Sequence, residues 1–284
     1  MKKNKLYFFL TFLISISIYS QEYQYSEGNF SQETIPIIFA NGCPIIEVNI
    51  DGQLFHLLID TGAEDATVKL TPSTLKKILV TTRSGEEQTF DYNGKTYQNM
   101  RFIISSLKIG KLEFRNLNGI EELRSGIKED GIIGNQLLKN FNVMFDYKAE
   151  TMILYPLNSY PDEISNNNWI KINALHNNIG IILICKTELT EKELKFCLDT
   201  GVGSIENGKT YGIIKPNAFD KTKANGGTVD VQKFIVDRNN LAPFDFKFIE
   251  FKVSSIDGFL GNNFFAKYKV LIDFNQNLLY LKKY

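Results

Sequence analysis

Short apolar runs rich in Ile, Val, Phe and Tyr recur along the chain and break at Gly, Asn and Asp, a pattern that predicts strands joined by tight turns. "PIIEVNIDGQLFHLLID", Pro44 to Asp60, reads as a hairpin turning at Asp51-Gly52. "GIILICKTELTEKELKFCLD", Gly180 to Asp199, repeats that plan with polar residues around Thr190 at its turn. Both hairpins run an apolar strand directly into the same three letters, Asp60-Thr61-Gly62 and Asp199-Thr200-Gly201. A second matched pair follows: "DGIIGNQLLKNFNVMFDY" from Asp130 and "DGFLGNNFFAKYKVLIDF" from Asp257 align without a gap over eighteen positions. Each then continues into a further strand, "TMILYP" and "NLLYLKKY". Two segments repeated in the same order mark an internal duplication. The halves run from Glu33 to Pro156 and from Trp169 to Tyr284, joined by the linker "LNSYPDEISNNN", 157–168. Helix signals are few. Thr71 with Pro72 makes a helix start, and "GNQLLKN" and "GNNFFAK" each suit one short turn of helix. The expected fold is all-β and bilobal.

The N-terminus alters the expected setting. Lys2, Lys3 and Lys5 precede an apolar run from Leu6 to about Tyr19, and Ser20 precedes Gln21. That is the grammar of a signal peptide over residues 1–20, so the protein is expected to be exported, either periplasmic or secreted. An uncleaved anchor is the alternative, although the run is short for spanning. The chain has 32 basic and 32 acidic residues, and losing the first twenty residues removes three lysines and no acid. Such a balance excludes a nucleic-acid footprint and gives no basic patch for stable membrane association. Cys43, Cys185 and Cys197 are too few for a disulfide framework and read as small buried residues, with a Cys185–Cys197 bridge across the hairpin left open.

Two buried acids demand a joint explanation, because an ionised carboxylate alone at the end of an apolar strand is costly. Held close together, two carboxylates do not both ionise easily, and the pair keeps one proton. The ionised member can then activate a water while its protonated partner donates to a carbonyl oxygen. Hydrolysis of an amide by this route needs neither metal nor cofactor, and one Asp from each half accounts for the repetition. Gly62 and Gly201 would let the chain turn sharply and present N–H groups to the carboxylates. Thr61 and Thr200 would exchange hydroxyl hydrogen bonds across the junction. Two histidines are too few for a His-rich metal site, and no Gly-x-Ser-x-Gly nucleophile motif occurs.

"LLIDTGAEDATV" with "GIIGNQLL" resembles the retroviral-type branch of the aspartic proteases, and two such halves in one chain resemble the bilobal pepsin-like arrangement. The resemblance covers nearly all of the chain after the leader, in motif order and approximate spacing. It implies Asp60 and Asp199 as the catalytic pair, Thr61 and Thr200 as interlocking threonines, and Ile132-Ile133-Gly134 and Phe259-Leu260-Gly261 packed behind the loops. It implies a peptide or protein substrate, bound as an extended strand. Unlike the retroviral enzymes, which pair two identical chains, this chain is expected to act as a monomer. The rival reading is an exported relative that binds peptides without turnover.

Departures from the family carry their own expectations. Asn135 and Asn262 stand where retroviral enzymes usually have Arg, which would leave Glu64 without its family partner, facing substrate or solvent. Asp60 and Gly134 are 74 positions apart, against 62 from Asp199 to Gly261, so a covering flap is expected in the first half. "EEQTFDYNGKTYQNM", Glu86 to Met100, suits its hairpin, with Asn93-Gly94 at the tip and Tyr92 or Tyr97 as the closing aromatic. Ala63 and Val202 offer no hydroxyl to the carboxylates, which points to an optimum less acidic than pepsin's. Asp146 and Asp273 read as structural acids on exposed strands, His56 as a surface or half-buried residue, and "EELRSGIKED", Glu121 to Asp130, as a solvated loop.

Overall fold

The computed structural model describes residues 24–25, 30–124, 126–165, 168–203, 205–206, 209–219, 227–241 and 243–284. The signal peptide expected over residues 1–20 lies outside them. Among the described residues no helix is long and apolar enough to cross a membrane.

The architecture is all-β: two nine-stranded sheets, one per lobe, and a six-stranded sheet beneath both. In the first lobe Asp51 and Gly52 both take positive φ, so Cys43–Ile50 turns tightly into Gln53–Ile59. Gln53–Ile59 then runs parallel to Gly131–Ile133, whose other edge pairs with Val68–Leu70. The second lobe repeats the unit: Thr190–Leu198 lies parallel to Gly258–Leu260, which pairs with Gly212–Ile214. Alternation along these strands sends Leu57 and Ile59, and likewise Phe196 and Leu198, into one large core with Phe102, Phe114, Phe234 and Phe246.

Three short helices form as their signals predict. Thr71 caps Pro72–Leu75 by accepting from the Thr74 N–H, and Asn135–Leu138 and Asn262–Phe265 follow Gly134 and Gly261.

The six-stranded sheet holds the lobes together. Its central pair, Phe141–Asp146 and Tyr268–Asp273, is antiparallel with Met144 opposite Leu271. Those two residues occupy the same place in the repeat, so the pseudo-twofold passes between them. Asp146 and Asp273 are therefore on central strands, not exposed ones. Asp273 is buried and accepts from Tyr160 and the Gln276 N–H, and Asp146 pairs with Lys269. The joint is also pinned to this sheet: Tyr160 packs on Tyr280, and Glu163 bridges Lys269 and Lys282.

The three cysteines are free thiols. Cys185 faces Leu194 and Cys197 faces Ile182 across the hairpin, so the strand register keeps the two apart.

Candidate active site

The two Asp-Thr-Gly loops meet at the junction of the lobes. Each Asp is fixed from behind, the Asp60 N–H donating to Ile133 O at 3.0 Å and the Asp199 N–H to Leu260 O at 2.9 Å. These bonds extend the parallel pairings by one residue, which is why the apolar-apolar-Gly segment must accompany the triplet. Thr61 and Thr200 then lock the loops together. The Thr61 N–H donates to Thr200 Oγ1 and the Thr200 N–H to Thr61 Oγ1, both at 3.0 Å. Each hydroxyl passes its own proton across the junction, Thr61 to Leu198 O and Thr200 to Ile59 O. Both threonines are wholly buried, so each hydroxyl satisfies two backbone groups that water does not reach.

The carboxyls of Asp60 and Asp199 are buried on facing loops, and each crowds the glycine of the other loop. Gly62 and Gly201 each donate an N–H to their own Asp, at 2.9 and 2.8 Å. Neither glycine has positive φ, so the expected sharp turn is not what requires them. Space is: a Cβ on Gly62 would lie 2.4 Å from Asp199 Oδ2, and one on Gly201 2.8 Å from Asp60 Cγ. Burial, then the neighbouring Asp60 charge and the hydrogen bond to it, hold the Asp199 carboxyl well above the usual carboxylate range. The Gly201 N–H and Arg124 oppose this less strongly. Such a pair retains one proton where isolated carboxyls have lost theirs.

Family resemblance now extends to comparison with known proteins. Residues 46–140 match the family described as "gag-polyprotein putative aspartyl protease". An aspartic proteinase from Irpex lacteus superposes with a TM-score of 0.58 at 12% identity, covering 89% of this chain and 97% of that one. The family match covers the first lobe, and the chain as a whole shares the fold of that aspartic proteinase. The search of curated proteins returned no match to the sequence.

Several residues differ from their sequence expectation. Glu64 is not left without a partner: Asn135 Nδ2 donates both to Glu64 Oε1 and to Thr61 O, and His176 Nε2 lies 2.8 Å from the same carboxylate oxygen. An amide thus partners Glu64 where the family resemblance implied an Arg, and a second-lobe imidazole approaches the same oxygen. The segment Glu121 to Asp130 is not simply solvated either. Glu122 is buried and grips Arg124 through two hydrogen bonds, at 2.9 and 2.8 Å. Burial opposes the Arg124 charge, but Glu122, with Asp60 and Asp65 behind it, outweighs that and keeps the guanidinium firmly protonated. Lys69, also buried, pairs with Asp65 at 2.7 Å. Its counterpart in the second lobe is Ile213, so this ion pair is not repeated there. Charged letters in a Gly-containing segment gave no signal of this.

The expected flap is a hairpin of Val80–Phe90 and Thr96–Ile109. Its tip reaches the second lobe, where Tyr92 O accepts from the Lys252 N–H at 2.8 Å. Tyr92 is half exposed at that tip, whereas the Tyr97 hydroxyl turns back to Asp91. His56 is exposed on its strand, as expected. Cys43 lies beside the pair, and burial, with the Asp199 and Asp60 charges next, pushes its thiol up to about 12. It is a filler there, not a nucleophile.

Proposed function

We propose that this chain is an aspartic endopeptidase that hydrolyses peptide bonds with a water activated between Asp60 and Asp199. One observation carries the reading: two buried carboxyls, one from each lobe, meet at the junction, each accepting from its own glycine N–H and crowding the glycine of the other loop. The ionised member takes a proton from the water as its oxygen attacks the peptide carbonyl carbon. The protonated member donates to the carbonyl oxygen, giving a neutral tetrahedral diol. Collapse returns the diol proton to the pair, the C–N bond breaks, and the amine leaves with a proton.

A substrate lies extended beneath the flap, where strand-like backbone hydrogen bonds hold it. Small buried apolar clusters back the two loop-bearing strands, Leu58, Ala63 and Ile132 in the first lobe and Ile182, Cys197, Phe251 and Phe259 in the second. The working unit is a monomer, exported to the periplasm or beyond. Incubating the mature protein with denatured casein from about pH 3 to about pH 8 tests the activity. Cleavage that pepstatin blocks is the expected result; no cleavage at any pH would leave a peptide-binding protein.

A further inference from the structure

We infer that His176, on the second-lobe strand Leu175–Asn177, is a positioning residue that steadies the first catalytic loop in a proton-dependent way. The inference rests on the endopeptidase reading and adds a control to that same site. His176 Nε2 reaches across the lobe junction to Glu64 Oε1, that oxygen accepts from Asn135 Nδ2, and the same amide donates to Thr61 O. Three side chains thus connect a second-lobe strand to the backbone between Asp60 and Gly62. His176 and Glu64 retain only 21% and 12% of their side-chain exposure, so the contact is shielded from bulk water.

The duplication supplies an internal control. Strand register places Phe39 where the second lobe has His176, and spacing from each Asp places Gly203 where the first lobe has Glu64. There the family-position amide is Asn262, which donates to Thr200 O while its own oxygen accepts from the Tyr147 hydroxyl. Phe39 stacks edgewise on Tyr147, just as His176 does on Phe274. The two halves therefore share the amide and the aromatic prop. They differ in that one junction is closed by an acid and an imidazole and the other by groups that do not titrate near neutrality. A structural brace alone needs no such difference, since Phe39 and Tyr147 already provide one.

Among the described contacts Glu64 is the charged group on His176, and Phe274 covers the ring. Acids on the neighbouring turns are engaged elsewhere: Asp273 with Tyr160 and the Gln276 N–H, Asp237 with Asn173. Protonation of the imidazole turns the contact into an ion pair and tightens the clasp. Loss of that proton leaves a hydrogen bond without the charge. The loop is therefore held best while the imidazole carries its charge.

The test compares the wild type with His176→Gln, His176→Lys and Glu64→Gln. Over about pH 5 to 8 the wild-type kcat should fall about fivefold further than that of His176→Gln, with KM moving little. His176→Lys, charged throughout, should keep its kcat on the alkaline side. The Asn135 side-chain amide resonances give a reading independent of turnover: they should move across that window in the wild type and stay still in His176→Gln and Glu64→Gln. Identical pH profiles for wild type and His176→Gln, or equal movement of the Asn135 resonances in both, would overturn the inference. If no protein in the set cleaves casein, the endopeptidase reading fails and the resonances alone decide the clasp.

Discussion

At the scale of single residues, the site depends on groups that serve two neighbours at once. The Thr61 hydroxyl accepts from the Thr200 N–H and donates to Leu198 O. Thr61→Val keeps the shape but strands both buried groups, which should cost about 2–4 kcal/mol. Denaturant unfolding measures that loss, and a change within experimental error would show that the interlock is dispensable. Asp199 has the opposite effect on stability. Its folded-state pKa is raised, chiefly by burial, so its contribution is fully present below the unfolded value and is lost as pH rises through the folded value. Asp199→Asn does not ionise, so its stability advantage over wild type should grow from near zero in acid to on the order of 1 kcal/mol or more near neutrality. Thermal unfolding across pH reads this directly, and an advantage that shrinks with rising pH would contradict it. Asp60, Thr61, Asp199 and Thr200 were legible because a buried strand ending in an acid is rare and this chain has two. His176, Glu122 and Arg124 were not. Their partners lie on other elements or two residues away in a loop, and neither periodicity nor spacing reports such contacts.

Elements were legible wherever the signal was local. Asp51-Gly52 marks its turn because both positions need positive φ, and Thr71-Pro72 marks a helix start. The central sheet was not visible, because it joins Phe141–Asp146 to Tyr268–Asp273 across more than a hundred residues. That is why Asp146 and Asp273 seemed to sit on exposed strands. A hairpin stands where the Asn-Gly tip signalled one, and Val80–Phe90 is largely exposed along its length. Gly94 has φ +73°, and a Cβ there would lie 3.0 Å from Lys252 Cδ. Gly94→Val should therefore cost about 1–2 kcal/mol at the tip. Faster hydrogen exchange of the Asn93 and Lys95 amides, which both donate to Asp91, should accompany a several-fold rise in KM and a nearly unchanged Tm. Unchanged exchange at the tip would show that the turn does not depend on the glycine.

On the scale of the whole molecule, the duplicated sequence becomes one site because the halves face each other about a pseudo-twofold. The joint reads from its sequence as a linker, and Tyr160 and Glu163 bind it to the sheet both lobes build. The lobes are thus held in register by backbone pairing below and by the threonine interlock above. What the repeat did not reveal is part of the asymmetry laid over it: the Lys69–Asp65 pair and the His176–Glu64 contact, whose corresponding positions in the other half are Ile213 and Phe39 with Gly203. The central claim is that both acids of one chain form one catalytic pair. It is tested most directly by the kcat of Asp60→Asn, of Asp199→Asn, and of an equimolar mixture of the two, on denatured casein. The account predicts a loss of at least about a thousandfold in each single variant, since the pair acts as a unit, and no recovery on mixing, since every chain still holds a broken pair. Substantial activity in either single variant would contradict the shared pair, and recovery on mixing would show that the site forms between chains.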